Sequence, residues 1–281
     1  MKAIVLDSAK IVYRVINYFL RLIQNNINKN LACRLQNIFL MLQFSKLRFY
    51  YDKKKNLFLA KELDCTKYFG EMNRGFNIYG RSLKTRGKNL FNSYCLKNIN
   101  FNSSDIVIDC GANYGDLFIE LSKYIKETNY ITFEPGPIEH KCLVINVAKS
   151  NNQNFGLSNT EGKMKFYLAS DNGDSSLIEP NNYTDFTYVR VTTLDNFQKK
   201  NNLKKCKLLK LEAEGYEPEI LQGANNFIKI CEYITVDGGP ERGIKKQITF
   251  PEINNYLLNN NFKLVDMNAR LYRGLYKNCA I

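Results

Sequence analysis

Two glycines and two acids are spaced where an α/β protein would bind a ligand that carries a nucleoside. Gly111 and Gly115 follow an apolar run that ends at Asp109, and a helix-like pattern comes after them. Glycine lets the backbone turn tightly and approach a ligand closely. A second apolar run, 130–133, ends in Glu134, where an acid can bind the two hydroxyl groups of a ribose. The spacing therefore indicates a nucleoside-bearing cofactor.

The glycine spacing also separates two classes of cofactor. Loops that bind dinucleotides have three glycines in the pattern G-x-G-x-x-G, whereas residues 111–115 read GANYG, with Asn113 at the middle position. A cofactor without phosphates, such as S-adenosylmethionine, needs backbone close to its carboxylate and amine, and an acid for its ribose. Asp109 and the loop can meet the first need, and Glu134 the second. The alternative is that the glycines only make a tight turn between a strand and a helix.

Three charged residues alternate at the end of another apolar strand pattern, 207–213. Lys210, Glu212 and Glu214 are two residues apart, so a strand would place them on one face at its carboxyl end. Open α/β sheets bind their ligands at that end. A lysine with two carboxylates can orient a hydroxyl group, accept its proton or hold a cation. The alternative is an ion-paired strand end that caps the next helix.

A further acid, Asp237, ends the strand pattern 232–237 and precedes two glycines. Backbone and carboxylate could both face an acceptor there, although a turn with unusual φ angles would explain the glycines equally well. We therefore take four residues as candidate catalytic residues: Lys210, Glu212, Glu214 and Asp237.

The elements that must position these residues alternate between strand and helix from residue 105 onward. Strands are predicted at 105–110, 130–134, 153–157, 162–168, 188–193, 207–213, 232–237, 262–267 and 270–277. Helices are predicted at 115–127, 137–149, 216–229 and 250–260. This order predicts a mostly parallel, seven-stranded sheet with helices on both faces. Only Asn268 and Ala269 separate the last two strands, so these form a hairpin and the sheet ends in an antiparallel strand. That layout is typical of methyltransferases that use S-adenosylmethionine.

The first 55 residues differ from the rest in charge. They contain eleven Lys or Arg and two Asp residues, a net charge of +9, whereas the whole chain has +13. Helices are predicted at 8–27 and 31–49, so we divide the chain into a basic helical extension (1–55), a lead-in (56–104) and a methyltransferase domain (105–281). The apolar face of helix 8–27 could contact an anionic membrane surface, or it could pack on the domain or on another subunit.

The apolar runs and the cysteine and histidine content bear on membrane spans, metal binding and cellular compartment. The sequence contains no run of about 18 uncharged apolar residues, so no membrane span is predicted. The N-terminus does not resemble a secretory signal. The eight cysteines are scattered and there is one histidine, so we expect no metal site. This composition fits a cytoplasmic protein, with peripheral contact at the inner membrane face as an alternative.

A series of motifs occurs in the order found in one family, at residues 107–115, 133–135, 157–162, 191–195, 209–217 and 221–224. Together they resemble the FkbM family of S-adenosylmethionine-dependent methyltransferases. The resemblance implies a Rossmann-like class I methyltransferase fold and O-methylation, often of sugar hydroxyls in glycans or secondary metabolites. Glu212 departs from the aspartate usual in the family. The predicted cofactor-binding residues are Asp109, Gly111, Ala112, Asn113, Gly115, Glu134, Pro135 and Leu157.

We therefore predict an O-methyltransferase that acts on a sugar hydroxyl of a glycan, a lipid-linked saccharide or a secondary metabolite. A NAD(P)-dependent oxidoreductase would share the first strand and the ribose acid, but not the glycine spacing or the antiparallel strand. The positive charge raises an RNA-modifying or nucleic-acid-binding protein as another alternative. Residues 56–281 carry only +4 of it, so no nucleic-acid partner is expected. A scaffold without catalytic activity would leave the three alternating charges unexplained.

Overall fold

The computed structural model describes residues 28–80, 82–169 and 174–281. The chain divides into two compact units, Met1–Leu83 and Lys84–Ile281. The predicted segment boundaries after residues 55 and 104 lie on either side of this division. The predicted helix 8–27 lies outside the described residues.

The first unit combines two helices with a small antiparallel sheet. Its helices are α1 (Lys29–Leu42) and α2 (Met72–Tyr79), and its strands are β1 (Arg48–Asp52), β2 (Leu57–Glu62) and β3 (Cys65–Phe69). The strands pair in the order β1-β2-β3. The prediction of one helix over 31–49 is wrong at its end, because the aromatic stretch after Leu47 pairs with β2 as a strand. Aromatic residues prefer such half-buried pleated surfaces.

The second unit alternates strands and helices. Its strands are β4 (Val107–Cys110), β5 (Tyr130–Phe133), β6 (Asn151–Gln153), β7 (Gly156–Leu157), β8 (Gly162–Leu168), β9 (Asp185–Thr192), β10 (Cys206–Leu211), β11 (Cys231–Asp237), β12 (Pro240–Arg242), β13 (Gln247–Ile248), β14 (Phe262–Asn268) and β15 (Arg273–Asn278). Its helices are α3 (Leu83–Ser93, which begins at the unit boundary), α4 (Phe118–Leu121), α5 (Pro137–Asn146), α6 (Leu194–Asn201), α7 (Glu217–Gln222) and α8 (Phe250–Asn259).

Seven of these strands form the main sheet, in the order β14-β15-β11-β10-β4-β5-β6. Strand β15 runs antiparallel to both of its neighbours, while the pairs from β11 to β6 are all parallel. This arrangement confirms the predicted Rossmann-like, class I methyltransferase architecture with its antiparallel C-terminal strand. The register places Lys210 of β10 directly beside Asp109 of β4.

Side chains on the two faces of the main sheet belong to two separate core clusters. Ile108 and Leu209 point into one cluster, whereas their neighbours Val107 and Leu208 point into the other. Strands that are buried on both faces need apolar residues at successive positions, which explains the apolar runs in the sequence. The polar residues that end these strands are therefore held on a rigid frame.

Several predicted elements end earlier than the sequence pattern indicates. The predicted helix 115–127 is only one helical turn, α4, within a series of turns, and the predicted helix 216–229 ends before Gly223 and is followed by a 3₁₀ turn at Phe227–Ile230. The connection between β14 and β15 is also longer than predicted. It contains a 3₁₀ turn, Ala269–Leu271, and Tyr272 at φ 54°.

A second sheet lies beside the main one in the same unit. Its strands pair in the order β7-β9-β8, with β7 parallel and β8 antiparallel to β9. The predicted strand near 153–157 is therefore two strands, of which β6 belongs to the main sheet and β7 to this second one. Across the part of the chain described by the structure, no helix has the length and apolar character needed to cross a membrane.

Candidate functional site

The glycine loop is held against the chain that follows β10. Gly111 has φ 72°, and a Cβ atom there would lie 1.9 Å from the backbone oxygen of Glu212. The amides of Gly111 and Ala112 donate to the Phe133 carbonyl at 3.0 and 3.2 Å. Only glycine fits this position, because both the φ angle and the close backbone approach exclude a side chain.

Glu134 organises the loop through its carboxylate. Its Oε2 accepts the backbone N–H of Asn113 and its Oε1 accepts that of Gly136, both at 2.8 Å. Asn113 has φ 52°, a conformation that turns its amide toward this acid. Glu134 directly follows β5, the position at which an acid in an open α/β sheet can bind the hydroxyls of a ribose.

Small and apolar residues lie beside Glu134. Leu157 is buried, and a Cβ atom on Gly156 would lie 3.9 Å from Pro135 Cβ. An apolar surface next to a ribose acceptor suits a flat, aromatic base. The residues present therefore fit S-adenosylmethionine.

Lys210 is at the centre of a buried group of charges. Its Nζ lies 2.8 Å from Asp109 Oδ1 and 2.9 Å from Glu212 Oε2, and it donates to the Gly111 carbonyl at 3.0 Å. Burial opposes the charged form of Lys210, but the two carboxylates outweigh it and raise the pKa of Lys210. Asp109 also accepts the Tyr130 hydroxyl. Lys210 and Asp109 are therefore engaged with each other and with the loop.

Arg273 of β15 joins two of the predicted acids. Its Nε lies 2.6 Å from Asp237 Oδ2, and its Nη2 lies 3.1 Å from Glu212 Oε1. Burial opposes ionisation of Glu212, but Lys210 and Arg273 lower the pKa of that carboxyl to about 2. The guanidinium also lies 4.1 Å from the centroid of the Tyr94 ring. Asp237 and Glu212 are thus both paired with one arginine.

Glu214 is separated from the other two alternating charges. Strand β10 ends at Leu211, and Glu214 has φ 52°, so the alternation predicted for 210, 212 and 214 does not extend to it. Glu214 lines a cavity of about 310 Å³ together with Asp174, Tyr183 and Glu241. The expectation that three charges share one face is therefore correct only for Lys210 and Glu212.

Two further acids near this cavity have raised pKa values. Glu217 is fully buried, and burial raises its pKa to about 7. Burial and the neighbouring Asp237 and Glu217 raise the pKa of Glu241 to about 8. One carboxylate oxygen of each, Oε2, has no hydrogen-bond partner among the residues that the structure describes. Carboxyl groups with such pKa values are suited to proton transfer near neutral pH.

The sequence pattern predicts some of the residues at this site and does not predict others. Glu217 ends the motif 209–217, and Glu241 follows Asp237 by four residues. Nothing in the spacing of these two acids predicts that they are buried. Arg273 and Tyr94 carry no local signal, because only the pairing of β15 with β11 brings Arg273 to Asp237. Within residues 28–80, 82–169 and 174–281, no group of three or more His, Cys, Asp or Glu side chains could hold a metal ion.

Several solved structures are similar to the chain at low identity. One is a methyltransferase FkbM from Methylobacillus flagellatus, with 16% identity, a TM-score of 0.43, and coverage of 64% of this chain and 45% of that chain. Another is fibrillarin from Aeropyrum pernix, solved with natively bound S-adenosyl-L-methionine, with 10% identity, a TM-score of 0.40, and coverage of 83% and 98%. The chain thus spans less than half the length of the first relative. No curated protein matched the chain significantly.

Comparison with protein families is more informative. The family model described as the methyltransferase FkbM domain matches residues 109–264, from the acid that ends β4 into β14. This match covers more than half of the sequence and includes the glycine loop, Glu134 and the acids around the cavity. The chain therefore belongs to the FkbM methyltransferase family, and its cofactor is S-adenosylmethionine.

Proposed function

We propose that this methyltransferase transfers the methyl group to a hydroxyl oxygen of a sugar, in a glycan, a lipid-linked saccharide or a glycosylated secondary metabolite. The observation that supports this proposal is the cavity lined by Glu214 and Glu241. Glu212 touches the glycine loop, and Glu214, which lines the cavity, follows Glu212 by two residues. A neutral hydroxyl acceptor must lose a proton, and these carboxylates are placed to receive one.

The residues around the glycine loop bind the cofactor in this proposal. S-adenosylmethionine, when bound, supplies an electrophilic methyl group on a sulfonium. Glu134 accepts the ribose hydroxyls, and the backbone of Gly111 to Gly115 lies along the methionine end. Asp109 contributes indirectly, because its ion pair with Lys210 fixes the loop carbonyls.

Glu241 is the proton acceptor in this proposal. Its Oε2 is buried and, within the described part of the chain, has no hydrogen-bond partner. Glu241 also lines the cavity, so an acceptor hydroxyl there would donate its proton to this carboxylate as the hydroxyl oxygen attacks the methyl group. Glu214, which follows the neighbouring parallel strand β10, orients the same hydroxyl or its neighbour. General bases of this kind contribute about 10²–10⁴-fold to the rate.

Lys210, Glu212 and Asp237 act as positioning residues rather than in contact with the acceptor. Lys210 holds Asp109 and Glu212, and Arg273 holds Glu212 and Asp237. Each carboxylate thus has a cationic partner within 3.1 Å. Fixed charges of this kind keep the loop after β10 in place, so that Glu214 can face the cavity.

A direct test offers the protein S-adenosylmethionine and a panel of soluble mono- and oligosaccharides, and detects the gain of one methyl by mass spectrometry. We expect a methylated sugar, and a loss of about 10²-fold or more in the single-turnover rate of Glu241→Gln. Glu252→Gln, an exposed acid on α8, serves as the matched control. Methylation of a nitrogen-containing acceptor and of no sugar would contradict the proposal.

We further propose that the first unit contacts an anionic membrane surface. The last turn of α1 and the chain after it expose Leu42 (74%) and Phe44 (95%), and the exposed Lys46 lies close by in the sequence. Apolar side chains next to basic ones suit the headgroup region of an anionic bilayer. Wild type should sediment with phosphatidylserine vesicles and Phe44→Ser should not, whereas Leu63→Ser, elsewhere in the unit, should behave as wild type. Equal sedimentation of all three proteins would contradict this contact.

A further inference from the structure

The outer face of the second sheet carries a row of aromatic rings. Tyr167 of β8 lies opposite Phe186 of β9, and Lys165 lies opposite Tyr188. Because side chains alternate along a strand, these four share one face of the sheet. The other face holds Phe166, Val189 and Val191, which form a buried apolar cluster. The inner face is thus closed by its own apolar cluster, whereas the rings of the outer face pair across the strands and remain in contact with solvent.

The row begins at the cavity. Tyr183 lines the cavity, and its ring centroid lies 5.0 Å from that of Tyr167. Phe186 follows across the strands, and its ring centroid lies 6.2 Å from that of Tyr188. The rings thus lead from the cavity along the sheet in the order Tyr183, Tyr167, Phe186, Tyr188. We call these four residues the aromatic row.

The aromatic row is accessible to a ligand. Tyr183 is 40% exposed, Phe186 43% and Tyr188 67%. Lys165 lies between the rings, with its Nζ 4.0 Å from the Phe186 centroid and 4.7 Å from that of Tyr167. A flexible lysine there can donate hydrogen bonds to a ligand while the rings at either end of the row contact its apolar faces.

We propose that the aromatic row binds the sugar units that precede the methylated one, so that the acceptor is an oligosaccharide rather than a monosaccharide. This inference rests on the proposed sugar O-methylation and specifies the size of its substrate. A pyranose ring has apolar C–H faces and polar edges, which match aromatic side chains flanked by hydrogen-bond donors and acceptors. Rings spaced along a sheet suit a chain of such units, and the cavity takes the last one.

The charges at the cavity favour a neutral chain over a nucleic acid. Exposed aromatic residues near lysines also occur in proteins that bind single-stranded nucleic acids. Here the row leads to a cavity lined by three acids, Asp174, Glu214 and Glu241, and one base, Lys246, so the lining offers little that would bind a chain of phosphates. Hydroxyl groups, in contrast, can donate to these carboxylates.

The experiment compares three variants with wild type on an array of neutral oligosaccharides, followed by kinetics on the saccharide that is retained. Tyr183→Ala and Tyr188→Ala remove the two ends of the aromatic row. Tyr50→Ala, at an exposed position in the first unit, is the matched control. Calorimetry with S-adenosylmethionine verifies that all four proteins bind the cofactor equally and are folded.

We expect each row variant to weaken retention and to raise KM for the oligosaccharide about tenfold. The KM for its terminal monosaccharide should be unchanged in Tyr188→Ala, since this ring lies farthest from the cavity. Retention equal to wild type in both row variants, or no retention of any saccharide by wild type, would overturn the inference. Binding of a labelled single-stranded RNA that both row variants lose would also overturn it.

The two proposals fail in different ways. If wild type retains oligosaccharides through the aromatic row but transfers no methyl group to them, the row is correct and the proposed reaction is wrong. If monosaccharides and oligosaccharides are methylated with equal KM by wild type and both row variants, the reaction is correct and the row is wrong.

Discussion

The ammonium group of Lys210 lies 2.8 Å from the carboxylate of Asp109, with both side chains almost completely buried between neighbouring parallel strands. Burial of either charge alone is strongly unfavourable, so each residue offsets the cost of burying the charge of the other. Because Lys210 also donates to the Gly111 carbonyl, the pair ties the central strand to the cofactor loop. Stability and cofactor binding are therefore connected through this contact.

The first prediction concerns the removal of this lysine. Lys210→Met leaves Asp109 buried without its cation and should lower the free energy of unfolding by about 3–5 kcal/mol, measured by urea denaturation. Lys55→Met is the control, because the side chains of the Lys55–Asp52 ion pair are 44% and 23% exposed, and this pair should contribute little to the free energy of unfolding. An equal loss of unfolding free energy in the two variants would show that the buried ion pair stabilises the fold no more than the exposed one.

The second prediction uses two glycines with nearly the same backbone angle. Gly111 has φ 72° and Gly115 has φ 75°, but a Cβ atom would meet the Glu212 carbonyl at 1.9 Å in the first case and the Leu143 side chain at 2.9 Å in the second. Both alanine variants incur about 1–2 kcal/mol of backbone strain. Gly111→Ala should destabilise by at least about 2 kcal/mol more, since a backbone carbonyl cannot move aside as a leucine methyl can.

Thermal unfolding of the two variants, followed by circular dichroism, measures this difference. Similar melting temperatures for Gly111→Ala and Gly115→Ala would mean that the loop after β10 can shift away from Gly111. That result would also mean that the loop does not hold Glu214 in a fixed position at the cavity.

The third prediction is a dependence of stability on pH. Glu217 has a pKa of about 7 in the folded protein against an ordinary value of 4.5, so between these values the folded state binds more protons than the unfolded state. Stability contributed by this group should therefore fall as the pH rises from 4.5 to 7 and level off above 7. The total fall is about 3 kcal/mol.

Glu217→Gln should remove this fall and should be more stable than wild type at pH 8. Urea denaturation at intervals from pH 5 to 8 measures the effect, and Glu252→Gln, at an exposed position, should follow wild type. A variant with the same slope as wild type over this range would assign the pH dependence to other groups.

The fourth prediction concerns cofactor affinity. Glu134→Gln removes the charge that accepts the amides of Asn113 and Gly136, and it weakens an acceptor of the ribose hydroxyls. The Kd for S-adenosylmethionine, measured by calorimetry, should rise about 10- to 100-fold. Glu232→Gln, at a distant ion pair with Lys207, should leave the Kd unchanged. An unchanged Kd for Glu134→Gln would remove the ribose assignment.

The fifth prediction is the pH profile of methyl transfer. A base must be deprotonated to accept a proton, and Glu241 has a pKa of about 8, so the single-turnover rate should rise with pH and level off above about 8. Glu241→Gln should lose this rise together with most of the rate. A rise that persists in Glu241→Gln would transfer the role to another carboxylate, with Glu214 next to be tested.

The sequence predicted those parts of the site that depend on local rules. Gly111 and Glu134 follow apolar strands directly, and parallel strands deliver their carboxyl ends to one edge of the sheet. The position of Glu214 was missed because β10 ends at Leu211, so the alternation of a strand does not reach Glu214, which itself has φ 52°. Such an ending depends on contacts with residues far away in the chain.

The role of Arg273 could not be predicted because its partners are distant in the sequence. Arg273 is 36 residues from Asp237 in the sequence, and only the register of β15 with β11 makes them neighbours. In the first unit, the end of α1 was also misplaced, because the apolar residues after Leu42 suit a helix and a strand alike. Pairing with β2, a tertiary contact, decides between them.

The position of Arg273 in the chain has a consequence for biosynthesis. A ribosome makes Asp109, Glu212 and Asp237 before Arg273, and β15 must then insert between β14 and β11. Until it does, the carboxylates of Glu212 and Asp237 lack their shared cation, and β11 is an open edge of the sheet. A nascent chain halted before residue 273 should therefore be a client for chaperones, while a chain released beyond it can close the sheet and neutralise these acids in one step.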